Sequence, residues 1–268
     1  MVISRIFSKK NKALLSELVR TDFKLRYQGS LLGYAWSLLR PLLLFLILYI
    51  VFVKFLKFGG DIPHYPVYLL LGIVLWSFFT EMTSQSLGSI VGRGDLIRKI
   101  RIPRWIIVLS SSVSALINLG LNLMVVGVFM YINHVDPLRT SIYFPLVLIE
   151  IYIFSLGVSL FLAAAFVKYR DINYVWEVVM QAMFYATPII YPIALVSNTV
   201  FQRILLLNPI AQSIQDARML IITNNTVTIK EVFGSNLARF IPLTITALTL
   251  IIGVIYFKAN SKSFAEDL

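Results

Sequence analysis

Runs of about 20 consecutive apolar residues take up most of this chain, and nothing else in the sequence limits its fold as strongly. A hydrocarbon core is about 30 Å thick, and a helix rising about 1.5 Å per residue crosses it in about 20 residues. Hydropathy places six such spans at Leu38–Phe55, Val67–Ile90, Ile106–Ile132, Ile142–Val167, Ile172–Tyr191 and Leu237–Phe257. Of the 268 residues, 58% are apolar or aromatic and 14% are charged, which leaves little chain for a soluble domain. The expected fold is an all-α, multi-pass integral membrane protein in which residues 1–268 form one transmembrane domain. No short apolar stretch with an Ala-x-Ala site precedes Leu38, so the N-terminus is expected to be retained.

The charges give this bundle a direction. Twenty-four Lys and Arg stand against 13 acids, a net charge of +11 that in a soluble protein would suggest nucleic acid. Here the basic residues instead fall in alternate loops. If both termini are cytoplasmic, the inside segments hold 17 of the 24, counting residues 5–40, Arg93 to Arg104, Lys168 with Arg170, and Lys258 with Lys262. Cytoplasmic flanks collect Lys and Arg, so the expected site is the cytoplasmic (inner or plasma) membrane with both ends inside and no nucleic-acid partner. Lys54 and Lys57 suit the outer end of the first span, where their stems reach toward the headgroups.

Two segments are neither span nor plain loop. Across residues 11–27, Leu14, Leu15, Leu18 and Val19 share one helical side, with Glu17, Arg20 and Lys24 opposite, as in a helix lying in the membrane interface. Asp22 and Arg26 interrupt the apolar arc, and a solvated basic tail is the alternative. Residues 188–227 hold apolar pieces too short to cross, broken by Pro188, Pro192 and Pro209. They read either as short re-entrant helices whose free backbone groups are covered by protein, or as a folded external loop.

Little in the sequence points to chemistry of its own. There is no Cys, and His64 and His134 stand far apart, so neither a metal nor another cofactor is expected. No G-x-x-x-x-G-K-[ST] occurs, so any ATP used must be hydrolysed by a partner. No nucleophile, base and orienting acid recur at a useful spacing, and the chain does not read as an enzyme.

The spans do carry polar stripes at helical spacing. Ser77, Glu81, Ser84, Gln85 and Gly88 share a face of the second; Ser111, Ser114, Asn118 and Asn122 of the third; Glu177, Gln181, Tyr185 and Pro188 of the fifth. Each stripe serves either to hold helices together or to line a polar path, and three at once favour a common seam. A charge at the depth of Glu81 costs at least about 2.5 kcal/mol, so that residue needs a partner, a proton or water. The channel-lining candidates are Glu81, Gln85, Asn118, Asn122, Gln181 and Tyr185. Glu150, alone in its span, reads as a buried hydrogen-bond partner. Trp36, Trp76, Trp105 and Trp176 read as interfacial anchors near span ends.

Four strings go further. Arg26-Tyr27-Gln28-Gly29-Ser30-Leu31-Leu32-Gly33-Tyr34-Ala35-Trp36 with Arg40-Pro41 resembles the N-terminal signature of ABC-2 type permeases that export O-antigen, capsule or teichoic acid. Gly94-Asp95-Leu96-Ile97-Arg98-Lys99-Ile100-Arg101-Ile102-Pro103 resembles that family's cytoplasmic coupling segment. Tyr169-Arg170-Asp171-Ile172 resembles its motif before the fifth span. Thr187-Pro188-Ile189-Ile190-Tyr191-Pro192 with Leu207-Asn208-Pro209 resembles its outer re-entrant region. The likeness covers nearly the whole chain.

The resemblance implies a transmembrane half-transporter. A second copy of the chain would complete the channel, and two separate ABC ATPase subunits would dock on residues 93–104, with Asp95, Arg98, Lys99, Arg101, Ile102, Pro103 and Arg104 as the coupling residues. The cargo it implies is a glycan linked through pyrophosphate to a polyprenyl lipid, met at the interface by Arg20, Lys24 and Arg26. Guanidinium and ammonium groups at headgroup level suit a multivalent anion, and ordinary anionic membrane lipid would suit them as well. Two other classes stay open: an ion-coupled secondary transporter with Glu81 as its ion site, and a membrane enzyme acting on lipid-linked sugar.

Overall fold

The computed structural model describes residues 9–27, 29–57, 59–60, 62–99, 102–136 and 138–264; the side chains of 25–27 lie outside the description. Every regular element among these residues is helical. α1 (Lys9–Tyr27) is followed by α2 (Ala35–Leu48), which runs on as a π-helix over Tyr49–Phe55. Then come α3 (Tyr65–Ser89), the short α4 (Gly94–Lys99), α5 (Trp105–Ile132), α6 (Phe144–Lys168) and α7 (Ile172–Ala186). α8 (Thr199–Leu207), α9 (Pro209–Ile221), α10 (Ile229–Phe233) and α11 (Phe240–Asn260) complete the chain. Among the described residues, five helical stretches are long and apolar enough to cross a membrane: Ala35–Phe55, Tyr65–Ser89, Trp105–Ile132, Arg139–Lys168 and Asn236–Asn260. They coincide to within a few residues with five of the six expected spans.

The remaining expected span, the fifth (Ile172–Tyr191), forms a shorter helix than its hydropathy suggests. α7 has 15 residues, about 22 Å of helix, because Pro188 disfavours a helical conformation at the residue before it. Thr187 is accordingly extended (φ −84°, ψ 137°), and the apolar residues beyond it continue outside the helix. Hydropathy averages over this break and cannot register it.

α3 is the central post. Seventeen of its 25 residues are buried, among them an unbroken run from Val67 to Trp76, and it packs against both α5 and α6. Trp76 is therefore a core residue, 5% exposed, and not an interfacial anchor. On the far side of α6 lies α11, and the two helices cross at glycine. A Cβ on Gly253 would stand 2.2 Å from the carbonyl oxygen of Gly157, and one on Gly157 would stand 2.7 Å from the backbone of Leu250. Such contact is the close approach that small residues permit between membrane helices. α1 lies along α5, burying Leu18 and half-burying Leu14 and Leu15, as its apolar side requires.

At the other end of the bundle α9 is enclosed by protein, with twelve of its 13 residues buried. Asn208 caps it, its side chain accepting from the Ile210 N–H at 3.0 Å, and Pro209 occupies the first turn, where no N–H is needed. α9 carries Arg218, which is fully buried. Its Nε donates to the Tyr68 carbonyl at 3.1 Å, and Nη1 and Nη2 donate to the carbonyls of Pro188 and Ile189, each at 2.6 Å. Its guanidinium carbon lies 3.5 Å from the centre of the Tyr68 ring. Gly72 gives it room, since a Cβ there would stand 2.5 Å from Nη2. The carbonyls freed where the chain breaks after α7 are thus answered by one side chain.

Arg218→Met is expected to leave the Pro188 and Ile189 carbonyls without donors, whereas the Tyr68 carbonyl keeps its place in the helical ladder of α3. At about 1–3 kcal/mol for each buried acceptor left unpaired, the variant should lose on the order of 2 kcal/mol or more. Thermal denaturation of the detergent-solubilised protein measures this, and an unchanged melting temperature would contradict the role assigned to Arg218.

Candidate functional site

A groove of about 690 Å³ opens on one side of the bundle. α2 lines it with Trp36, Ser37, Arg40, Pro41 and Leu44; α3 contributes Trp76, Ser77, Thr80, Glu81, Ser84 and Gln85; α7 contributes Phe184. The polar stripe of α3 faces this groove because its opposite faces are already committed to α5 and α6. Rings stand among the polar groups, with Trp76 edge-on to Phe184 at 6.1 Å. α7 is also tied to α3 by Trp176, whose Nε1 donates to Thr83 Oγ1 at 3.3 Å.

Glu81 sits half-buried on the groove wall. Its Oε1 accepts from Gln85 Nε2 at 2.7 Å and from Asn118 Nδ2 at 2.5 Å. Asn122 Nδ2 donates to the Ser37 carbonyl at 3.2 Å and to the Asn118 carbonyl at 2.8 Å. This geometry divides the expected channel residues into two roles. Glu81 and Gln85 face the groove, whereas Asn118 and Asn122, 1% and 6% exposed, stand behind it and join α5 to α3 and α2. Ser111 and Ser114 bond back to their own helix, at the carbonyls of Ile107 and Ser110. Gln181 and Tyr185 are exposed on α7, outside the groove wall. Around them Tyr174, Val175, Val178 and Met183 leave a broad apolar face of α7 uncovered.

At the end of the bundle that carries α1 and α4, Asp22 forms an ion pair with Arg93, just ahead of α4. Arg93 Nη1 also donates to Ser110 Oγ at 3.0 Å, and Ser110 Oγ lies 3.2 Å from Asp22 Oδ2. Asp22, which interrupts the apolar arc of α1 in the sequence, therefore faces inward toward a specific cation. α4 buries Ile97 and exposes Asp95, Arg98 and Lys99. Ile102 and Pro103 are half-buried, and Arg104 Nη1 donates to the carbonyl of Ser261. Arg20 and Lys24 are exposed on α1. Arg101 and the side chain of Arg26 lie outside the described residues.

The opposite end holds a second polar cluster that sequence reasoning missed. Asp216 Oδ1 accepts from Gln212 Nε2 at 2.7 Å, and Oδ2 lies 3.2 Å from Arg239 Nη2. Burial pushes the Asp216 carboxyl above its ordinary range, opposed by the Arg239 charge and the Gln212 amide. Glu150 is within electrostatic reach of both Asp216 and Arg239, so it is not the isolated acid that its span suggests, and its Oε1 makes no hydrogen bond among the described residues. No cluster of three or more His, Cys, Asp or Glu gathers as a metal set among the described residues.

The family model for ABC-2 type transporters matches residues 13–222, a stretch that includes the groove, the Asp22–Arg93–Ser110 cluster, α4 and, of the second polar cluster, Glu150, Gln212 and Asp216. This chain belongs to the ABC-2 type transporter family. It is 29% identical over 256 residues to an O-antigen export system permease protein RfbA of Klebsiella pneumoniae, covering 95% of each chain. It is 30% identical over 199 residues to the RfbA permease of Myxococcus xanthus, covering 74% of this chain and 76% of that one. The ABC-2 chain is thus a membrane component of a transporter and not an enzyme, and its groove is to be understood in that setting.

The double variant Gln85→Ala/Asn118→Ala is expected to remove two donors from the Glu81 carboxylate. At about 1.5–3 kcal/mol for a hydrogen bond to a charged group, it should melt at a clearly lower temperature than the parent protein. Glu81→Gln keeps an oxygen that accepts from both donors and should melt close to the parent. The opposite order of stabilities would show that these two bonds do not hold the Glu81 carboxylate in place.

Proposed function

We propose that this ABC-2 chain is the transmembrane subunit of an exporter that moves lipid-linked cell-surface polysaccharide across the cytoplasmic membrane, using ATP hydrolysed by separate ATPase subunits. The observation that carries the reading is the groove, in which hydroxyl, amide, carboxylate and guanidinium groups alternate with Trp36, Trp76 and Phe184. Sugar rings present hydroxyls at their edges and C–H groups on their faces, and a wall of this composition suits both. The RfbA relatives are O-antigen export permeases, which agrees with such a cargo.

The groove is open on one side, and the exposed face of α7 borders it. A second copy of the chain placed against that side would convert the groove into a channel and cover the apolar residues of α7. Gln181 and Tyr185 would then come to the seam between copies. α7 together with residues 187–192 acts as a short fifth crossing, which makes six crossings and sets both termini in the cytoplasm, as the basic loops favour. α8 and α9 serve as the re-entrant pair on the outer side. α1 lies in the cytoplasmic interface, where Arg20, Lys24 and Arg26 meet the pyrophosphate of the incoming lipid. The exposed Asp95, Arg98 and Lys99 of α4, with residues 101–104, receive the ATPase.

The test is reconstitution. Co-purified with its ATPase in proteoliposomes, the chain is expected to export lipid-linked O-polysaccharide only when ATP is present. Arg20→Ala/Lys24→Ala/Arg26→Ala should insert and assemble normally. A membrane-surface phosphate contact is worth about 1 kcal/mol, so its stimulation of ATP hydrolysis by cargo should fall by at least about fivefold. Export at the parental rate by this variant would remove those residues from cargo recognition, and ATP-driven export by the chain without an ATPase would refute the reading as a whole.

A further inference from the structure

Asp22 is the anomaly of α1. A helix that packs its apolar side on α5 gains nothing from a carboxylate in that side, because a partly buried ion pair must offset the desolvation of both charges. A pair of this kind is therefore weak as a source of stability and strong as a means of fixing one element against another. Here the elements are specific. Asp22 belongs to α1, Arg93 to the turn that opens the segment before α4, and Ser110 to the first turns of α5. The three side chains stand in a ring: carboxylate to guanidinium, guanidinium to hydroxyl at 3.0 Å, and hydroxyl within 3.2 Å of the carboxylate, the hydroxyl proton being shared with the Ile107 carbonyl of α5 at 2.8 Å. Around it Leu18 of α1, Ile97 of α4 and Phe264 near the C-terminal end are buried in one hydrophobic cluster. α1 and the segment carrying α4 thus share both an apolar contact and a directed polar one. The apolar contact resists separation but permits sliding, and the polar ring fixes the register.

We propose that Asp22 is a positioning residue that, through Arg93 and Ser110, locks α1 to the segment bearing α4, so that displacement of α4 by the ATPase moves the helix that meets the lipid-linked cargo. This inference rests on the function proposed above, in which α4 receives the ATPase and α1 meets the cargo. Movement of α4 alone would leave α1 behind if only the apolar cluster joined them. With the ring intact, α1 follows, and occupancy of α1 is reported back to the ATPase by the same connection, as reciprocity of coupling requires.

The chain has no Cys, so two can be introduced without background. Ser16 is exposed on α1, and Gly92 is exposed with open space where a Cβ would stand. Spin labels at Ser16→Cys and Gly92→Cys, in the complex with its ATPase, report the separation of α1 from the segment before α4 with and without a non-hydrolysed ATP analogue. A narrow distance distribution is expected in both states. Asp22→Asn, which keeps the shape and removes the charge, should broaden it, and Asp22→Arg/Arg93→Asp should narrow it again. The second readout is ATP hydrolysis. In Asp22→Asn the increment caused by lipid-linked O-polysaccharide should fall by about fivefold or more with the basal rate unchanged, and the charge-swapped pair should recover it. An unchanged distribution in Asp22→Asn, or a swapped pair that assembles and does not recover, overturns the proposal. If the parent complex itself shows no cargo stimulation, the functional reading has failed, and the label distances alone decide whether the lock exists.

Discussion

The carbonyls of Pro188 and Ile189 have no helical partner, and the rest of the fold is arranged so that Arg218 can reach them. In a hydrocarbon setting a backbone group that leaves a helix must be satisfied by protein, since no water is there to do it. Arg218 answers three carbonyls at once and rests on the Tyr68 ring, and Tyr65 Oη adds a fourth bond by donating to the Ile190 carbonyl at 2.5 Å. This lets α7 stop after 15 residues and lets α9 lie inside the bundle with its polar side chains buried. Asp216, also on α9, is held in turn by Gln212 and Arg239, so both charges of that helix have assigned partners.

The same economy explains the groove. α3 is buried by α5 and α6 along most of its length, and only the side carrying Ser77, Glu81, Ser84 and Gln85 is left facing α2 and α7. Among them Glu81 is fixed by two hydrogen bonds, one from Asn118 of α5 and one from Gln85, a turn further along α3 itself. Bonds between membrane helices average only about 0.6 kcal/mol, and the 2.5 Å bond from Asn118 to a carboxylate is at the strong end of that range. Glu81 is therefore fixed in position while it still faces the groove, which an acid surrounded only by apolar side chains could not be.

Much of this was legible along the chain, and the pattern of what was not is physical. The five long spans follow from hydropathy because each is an uninterrupted helix. The stripes of α3 and α5 follow from helical spacing, and the bond between Glu81 and Asn118 makes one seam of two of them. Which stripe residues face the groove did not follow, because that depends on which neighbour covers each face. Asp22 reads as a flaw in an amphipathic pattern, and its explanation is Arg93, 71 residues away, which no local period encodes. Arg218 stands just ahead of a short apolar piece with no local mark of its role, since the three carbonyls it serves lie 29 to 150 residues distant. Trp76 lies in the core although its residue type suits an interface, because the abundance of aromatic residues near span ends is a trend and not a position.

The central claim is that the groove between α2, α3 and α7 is the path of the glycan. Site-specific photo-crosslinking tests it most directly. A benzophenone side chain at Thr80, on the groove wall, and another at Ile149, exposed on the outer side of α6, are compared in the complex during export of radiolabelled lipid-linked O-polysaccharide. The account expects glycan to be captured at Thr80 when ATP is supplied and not at Ile149. Capture at Ile149 alone, or equal capture at both positions with and without ATP, would contradict it.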